Sequence, residues 1–178
     1  MIVTNEFIWH KDHFVCHITD EKNIDNIIEK GLIPLNGERC KTIGDDRTGI
    51  FCLDGLYSVS DWAEVLYENG DIETLKLLRI NLKMRKWYMD MSNDNAFGLY
   101  LPNKVLPQSI DYLQLKDING KIVSLEKLFD IDFLERVYDI TGSFDGIGRS
   151  KKIIVDGCSL SWEPIEQYYK NNIMLKRG

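Results

Sequence analysis

The stretch Val15-Cys16-His17-Ile18-Thr19 decides how this chain is read. It is a short apolar run interrupted by one imidazole, and it leads straight into a helix signal. Thr19 or Asp20 offers an N-cap oxygen, and Ile24, Ile27 and Ile28 recur at i, i+3 and i+4, the spacing of one helix face. Gly31 stands where helices take a C′ glycine, and Pro34 keeps the helix from resuming. After a polar, turn-rich loop from Asn36 to Thr48, Gly49 to Leu53 reads as a second strand. A strand over Phe14 to Ile18, a helix and a short strand therefore open the fold.

Outward from this unit the elements are short. Ser58, three residues before Asp61, resembles a capping box, and Val59, Trp62, Ala63 and Leu66 give a second helix its apolar face, with Asn69-Gly70 as the stop. Leu75 to Leu82 alternates with a phase slip at Leu77-Leu78, which predicts a bulged strand. Trp87 to Met91 and Phe97 to Leu101 read as strands around a turn at Ser92 to Asn95, and Ile110 to Leu115 as another. Asn119-Gly120 is a hairpin or turn signal. Leu125, Leu128, Phe129, Leu134, Val137 and Tyr138 predict one or two helices with a break at Asp130 to Asp132. Ile153 to Val155 is a short strand before the Asp156-Gly157 turn, and Trp162 to Leu175 is amphipathic, helix or strand. Two early helices among many short strands, without regular alternation, predict an α+β fold in a single domain spanning residues 1–178.

Composition narrows the function classes. A net charge of −6 argues against a general nucleic-acid or membrane-surface binder, which needs a basic face for phosphates. No apolar run is long enough for a transmembrane helix, and Met1 to Trp9 lacks the basic start and cleavage site of a signal peptide. Cys16, Cys40, Cys52 and Cys158 show no C-x-x-C spacing, so a reduced, cytoplasmic setting is expected. With only His10, His13 and His17 to add, no zinc set has recognised spacing. A glycine-rich dinucleotide fingerprint, a Walker loop and a G-x-S-x-G elbow are all missing, which disfavours dehydrogenases, NTPases and α/β-hydrolases. His10 and His13 sit in a polar entry segment and read as exposed. His17, between Cys16 and Ile18 at a strand's end, is either a partly buried histidine bridging backbone groups or a ligand-gripping donor.

His17-Ile18-Thr19 resembles the H-x-[ST] opening motif of the ADP-ribosyltransferase superfamily, in its poly(ADP-ribose)-polymerase-like branch. Gly49 to Asp54, followed by Ser58, Ser60 and Trp62, resembles that branch's second motif. The phrase from Ile27 to Pro34 is common in bacterial and phage members. Ser60 to Glu64 with Gly70 and the strand from Leu75 is similar to rifampin-modifying transferases, and Val105 to Ile110 resembles the "I-P-P-E-x-I" phrase of such domains. The resemblance spans residues 14–115. It implies a split β-sheet core, two early helices and a C-terminal helix or strand extension. It also implies NAD as the cofactor and an unidentified acceptor, a protein before a nucleic acid or small molecule.

The resemblance assigns roles as well. His17 would hydrogen-bond the adenosine-side ribose, the backbone of Ile18 would hold the nicotinamide amide, and Thr19 would stabilise the motif loop. Phe51 or Tyr57 would stack on the nicotinamide, and Ser60 would line the cofactor site. Arg39 and Arg47 could meet the pyrophosphate or simply be solvated. Transfer passes through an oxocarbenium-like state that electrostatics must stabilise, and family members supply a glutamate on a late strand. Here Phe97-Gly98-Leu99-Tyr100 carries no carboxylate and Asp94 sits in a turn. Glu163 is thus the catalytic candidate beside His17, with Glu166 behind it. Three other readings stay open. One is a catalytically silent binder or inhibitor. Another is an RNA 2′-phosphotransferase-like enzyme, disfavoured by the acidic balance and few histidines. The last is an interaction module in which Trp9, Trp62, Trp87 and Trp162 are core or interface anchors.

Overall fold

The computed structural model describes residues 2–5, 14–35, 49–82, 85, 87–90, 98–142 and 147–171, with the backbone alone at 2–5, 56–57, 88–90 and 98. The fold is α+β. Strands β1 (Ile2–Asn5), β2 (Phe14–Asp20), β3 (Ile50–Leu53), β4 (Leu75–Asn81), β5 (Trp87–Asp90), β6 (Gly98–Leu101), β7 (Ile110–Lys116), β8 (Ile153–Val155) and β9 (Cys158–Pro164) form one sheet. Its order is β1-β5-β6-β3-β2-β4-β7-β9-β8, and the neighbouring strands run antiparallel. Helices α1 (Ile24–Lys30), α2 (Leu56–Glu68) and α3 (Ile131–Thr141) join it, with 3-10 turns at Glu21–Asn23, Pro107–Ser109, Leu125–Phe129 and Ile165–Gln167. None of the described helices is long and apolar enough to cross a membrane.

The central strands are covered on both faces, and this corrects the expected bulge at Leu77-Leu78. The register of β2 on β4 runs unbroken from Phe14 opposite Asn81 to Asp20 opposite Leu75. Successive strand residues point to opposite faces, so Leu77 enters one core and Leu78 the other. The apparent phase slip is what a strand buried on both sides looks like. The first core lies under α2, α3 and the Leu125–Phe129 turn, and includes Cys16, Leu77, Leu113, Leu160 and Trp162. The second lies under α1 and the Ile165 turn, and includes Val15, Ile24, Leu78, Ile80 and Tyr112.

Local chemistry sets the element ends. Of the two proposed caps, Asp20 closes the entry to α1, accepting from the Lys22 N–H at 3.1 Å and the Glu73 N–H at 2.8 Å. Thr19 instead accepts from Asn23 Nδ2 at 3.2 Å. Gly31 ends α1 at φ 79°, and a Cβ there would collide with the Val105 carbonyl, so the position needs glycine twice over. The second helix begins at Leu56, before Ser58, with Gly55 at φ 92° as its N-cap, so Ser58 and Asp61 do not form the expected capping box. Trp162 belongs to β9, and the chain turns helical only after Pro164. The Ser92 to Asn95 turn and the end of the amphipathic tail, 172–178, lie outside the described residues.

Candidate functional site

The sheet parts between β2 and β3. Their register consists of the single pair Cys16 and Leu53, whereas β2 follows β4 along its whole length. Beyond Cys16, β2 faces β3 without ladder pairing, and His17 stands at that opening. Its Nδ1 lies 2.8 Å from the Phe51 carbonyl oxygen, on the far side of the parting. A carbonyl only accepts, so Nδ1 carries the proton and neutral His17 presents Nε2 as a bare acceptor. Burial lowers its pKa below the ordinary imidazole value and outweighs the Phe51 hydrogen bond, which acts the other way. His17 therefore bridges a backbone group and, among the described residues, also keeps an unengaged ring nitrogen. Toward a ligand that nitrogen accepts, where the sequence reading expected a donor.

The remaining expected residues divide. Ile18 is opposite Leu77 and is partly buried against the first core. Thr19 is buried and secures the strand-to-helix turn through Asn23. Phe51 contributes its carbonyl to His17, while its ring packs at 5.9 Å against Tyr100. Ser60 is buried, and its hydroxyl donates to the Leu128 carbonyl at 2.8 Å. That bond ties α2 to the Leu125–Phe129 turn over the face opposite His17. Arg39, Arg47 and Asp94 lie outside the described residues, as does the Tyr57 side chain.

Glu163 is not brought to His17. The register runs His17 to Leu78, Leu78 to Tyr112 and Tyr112 to Glu163. Directly opposed residues share a face, so the imidazole and the carboxylate lie in one row, separated by buried Leu78 and Tyr112. Three strand spacings put their backbones on the order of 14 Å apart. The carboxylate accepts instead from Ser150 Oγ at 2.8 Å. Glu166 is exposed in the Ile165–Gln167 turn.

The face of the sheet that carries His17 holds polar groups that the sequence reading passed over. Lys76, opposite Thr19, places its ammonium 5.5 Å from the centre of the Tyr168 ring. Tyr112 accepts from Asn171 Nδ2 at 2.8 Å and meets Tyr168 edge-on at 5.2 Å. Burial raises the Tyr112 phenol, and the nearby Glu163 charge adds to this against the Asn171 hydrogen bond. Arg85, half-buried beyond the end of β4, donates its Nε to the Asn81 carbonyl at 2.9 Å. Lys76 and Tyr112 sit inside strands that read as core, and Arg85 in a segment with no periodicity, so spacing could not single them out. Among the described residues no group of three His, Cys, Asp or Glu side chains could hold a metal ion. Comparison with known proteins returns no match to a family model, a curated protein or a solved structure, so the local geometry is what bears on function.

Proposed function

We propose that this chain binds NAD at the parting of β2 and β3 and acts as an ADP-ribosyltransferase-like protein, transferring ADP-ribose to a protein, nucleic-acid or small-molecule acceptor. The observation that carries this reading is His17, fixed by the Phe51 carbonyl at 2.8 Å with Nε2 left as an acceptor beside an unpaired strand edge. A ribose hydroxyl is the matching donor, and the β2 main chain beyond Cys16 offers the polar groups that an amide requires. Thr19 and Asp20 hold the following turn through Asn23, Lys22 and Glu73, which pre-organises the imidazole on a rigid element. The chemistry NAD supplies is cleavage of its nicotinamide–ribose bond. The part assigned to this chain is to orient the ribose and exclude water.

A second reading has its own support. The row that separates Glu163 from His17 takes the expected carboxylate away from the parting. This favours a silent member that holds the dinucleotide without turnover. Thermal unfolding with and without millimolar NAD tests the binding they share. Wild type is expected to rise in Tm and His17→Ala to show no rise, and a folded wild type without any rise sinks both readings. Transfer from labelled NAD then separates them: label on an acceptor supports the transferase, and binding without transfer supports the silent member. Glu163→Gln should leave either result unchanged.

A further inference from the structure

We propose that the part of the His17 face formed by β4, β7 and β9 is a second binding site, for a neutral polyhydroxylated ligand such as a monosaccharide, with Gln114 and Ser161 as its floor. The site stands apart from the parting of β2 and β3 and does not rest on the NAD reading.

The register assembles it. Tyr112 and Glu163 share the face of His17. Two residues along the same strands, Gln114 and Ser161 stand directly opposite each other on that face. Elsewhere β4 and β7 fill this face with apolar Leu78, Ile80 and Ile110. Gln114 and Ser161 are only 6% and 4% exposed, yet neither is hydrogen-bonded to the other among the described residues. Gln114 meets the Tyr112 hydroxyl through its amide nitrogen at 3.4 Å. Whichever way the amide is turned, its other end has no partner among the described residues, and the Ser161 hydroxyl has none among them either. Native interiors satisfy groups this deeply buried, because leaving them unmade costs stability. Two such groups side by side mark a place that a ligand completes.

The surroundings select that ligand. On the β4 side stands Lys76, its ammonium 5.5 Å from the centre of the Tyr168 ring. On the β9 side stands Glu163, which accepts from Ser150 Oγ at 2.8 Å. The ammonium disfavours a cation beside Gln114, and the carboxylate disfavours an anion beside Ser161. Both floor groups are neutral, and each donates and accepts. Adjacent sugar hydroxyls do the same, so one can accept from the floor while the next donates to it. The rings of Tyr112 and Tyr168, edge-on at 5.2 Å, supply the apolar wall that a sugar's C–H groups need. Asn171 donates to the Tyr112 hydroxyl at 2.8 Å and fixes that wall in place.

Amide-correlation NMR on wild type, titrated with D-glucose, D-galactose and D-ribose and with glycine and inorganic phosphate as charged controls, tests this. At least one sugar is expected to shift the Gln114 side-chain amide. Gln114→Ala and Ser161→Ala should each weaken that sugar roughly 10-fold, read at neighbouring backbone amides, while His17→Ala binds it as wild type does. Sugar binding that His17→Ala abolishes and both floor variants retain moves the ligand to the parting and overturns the proposal. A site that takes glycine or phosphate and no sugar overturns it, as does a folded wild type that no sugar shifts. If neither floor variant folds, the wild-type titration decides: shifts centred on Gln114 and Ser161 support the site, and shifts centred elsewhere overturn it.

Discussion

His17 shows how one hydrogen bond fixes both chemistry and pH response. Its Nδ1–H is committed to Phe51, and burial holds the ring neutral. The folded pKa lies below the unfolded one, so between the two values the unfolded chain binds more protons. Stability must therefore fall as pH drops below about 6.5 and stop falling below the folded value. Urea unfolding across this range is expected to give a smaller pH slope for His17→Gln than for wild type, and an identical slope would remove the buried neutral imidazole from the account. Asp20 responds in a different window. Burial raises its carboxyl, but the N–H groups of Glu73 and Lys22 and the Lys22 charge outweigh it and leave the pKa lowered. Its contribution is present above the unfolded value and is lost as pH falls through the folded one. Asp20→Ala should cost about 1–2 kcal/mol at neutral pH, measured by denaturant titration.

At the scale of elements, the opening strand, α1 and the β3 strand were legible because each carries a local signal. These are an apolar run, an i, i+3, i+4 stripe closed by Gly31, and a short apolar run after a polar loop. Leu77-Leu78 misled because periodicity assumes one wet face, and β4 has none. The site was legible only in part. The sequence puts His17 at a strand's end, whereas β2 runs on to Asp20 and leaves it mid-strand; the parting of β2 from β3, and the row that strands Glu163 away from it, are properties of register. No single segment encodes them. Ser60 illustrates the same limit, since a small polar residue on an apolar helix face looks like a ligand contact until Leu128 is found above it. Ser60→Ala should lower stability by about 1 kcal/mol and leave any NAD-induced rise in Tm unchanged; loss of that rise would return Ser60 to the site.

Across the whole molecule, charge and topology act together. Arg79 is buried with Nε and Nη2 on Asp111 Oδ2 at 3.1 and 2.7 Å and Nη1 on the Ile147 carbonyl at 2.5 Å, between the rings of Phe14 and Trp162. Arg149 joins Asp111 from the outside at 2.6 Å. One carboxylate thus ties β4, β7 and the segment entering β8. Asp111→Ala would leave a buried guanidinium uncompensated and should cost about 3–5 kcal/mol of unfolding free energy, whereas an effect near zero would mean that water reaches the cluster.

The parted sheet also provides the protein with an internal clock. Cys16 and Cys52 stand on the two sides of the parting, and Cys158 lies in β9 at the other end of the sheet; all three are buried and in no disulfide. In a Cys40→Ser background, the order in which a thiol reagent reaches them reports which seam yields first under native conditions. Modification of Cys16 and Cys52 well before Cys158 would reveal a gate that swings on the β2–β3 seam while the rest of the sheet stays closed. Simultaneous modification would mean that the chain opens only by unfolding as a whole.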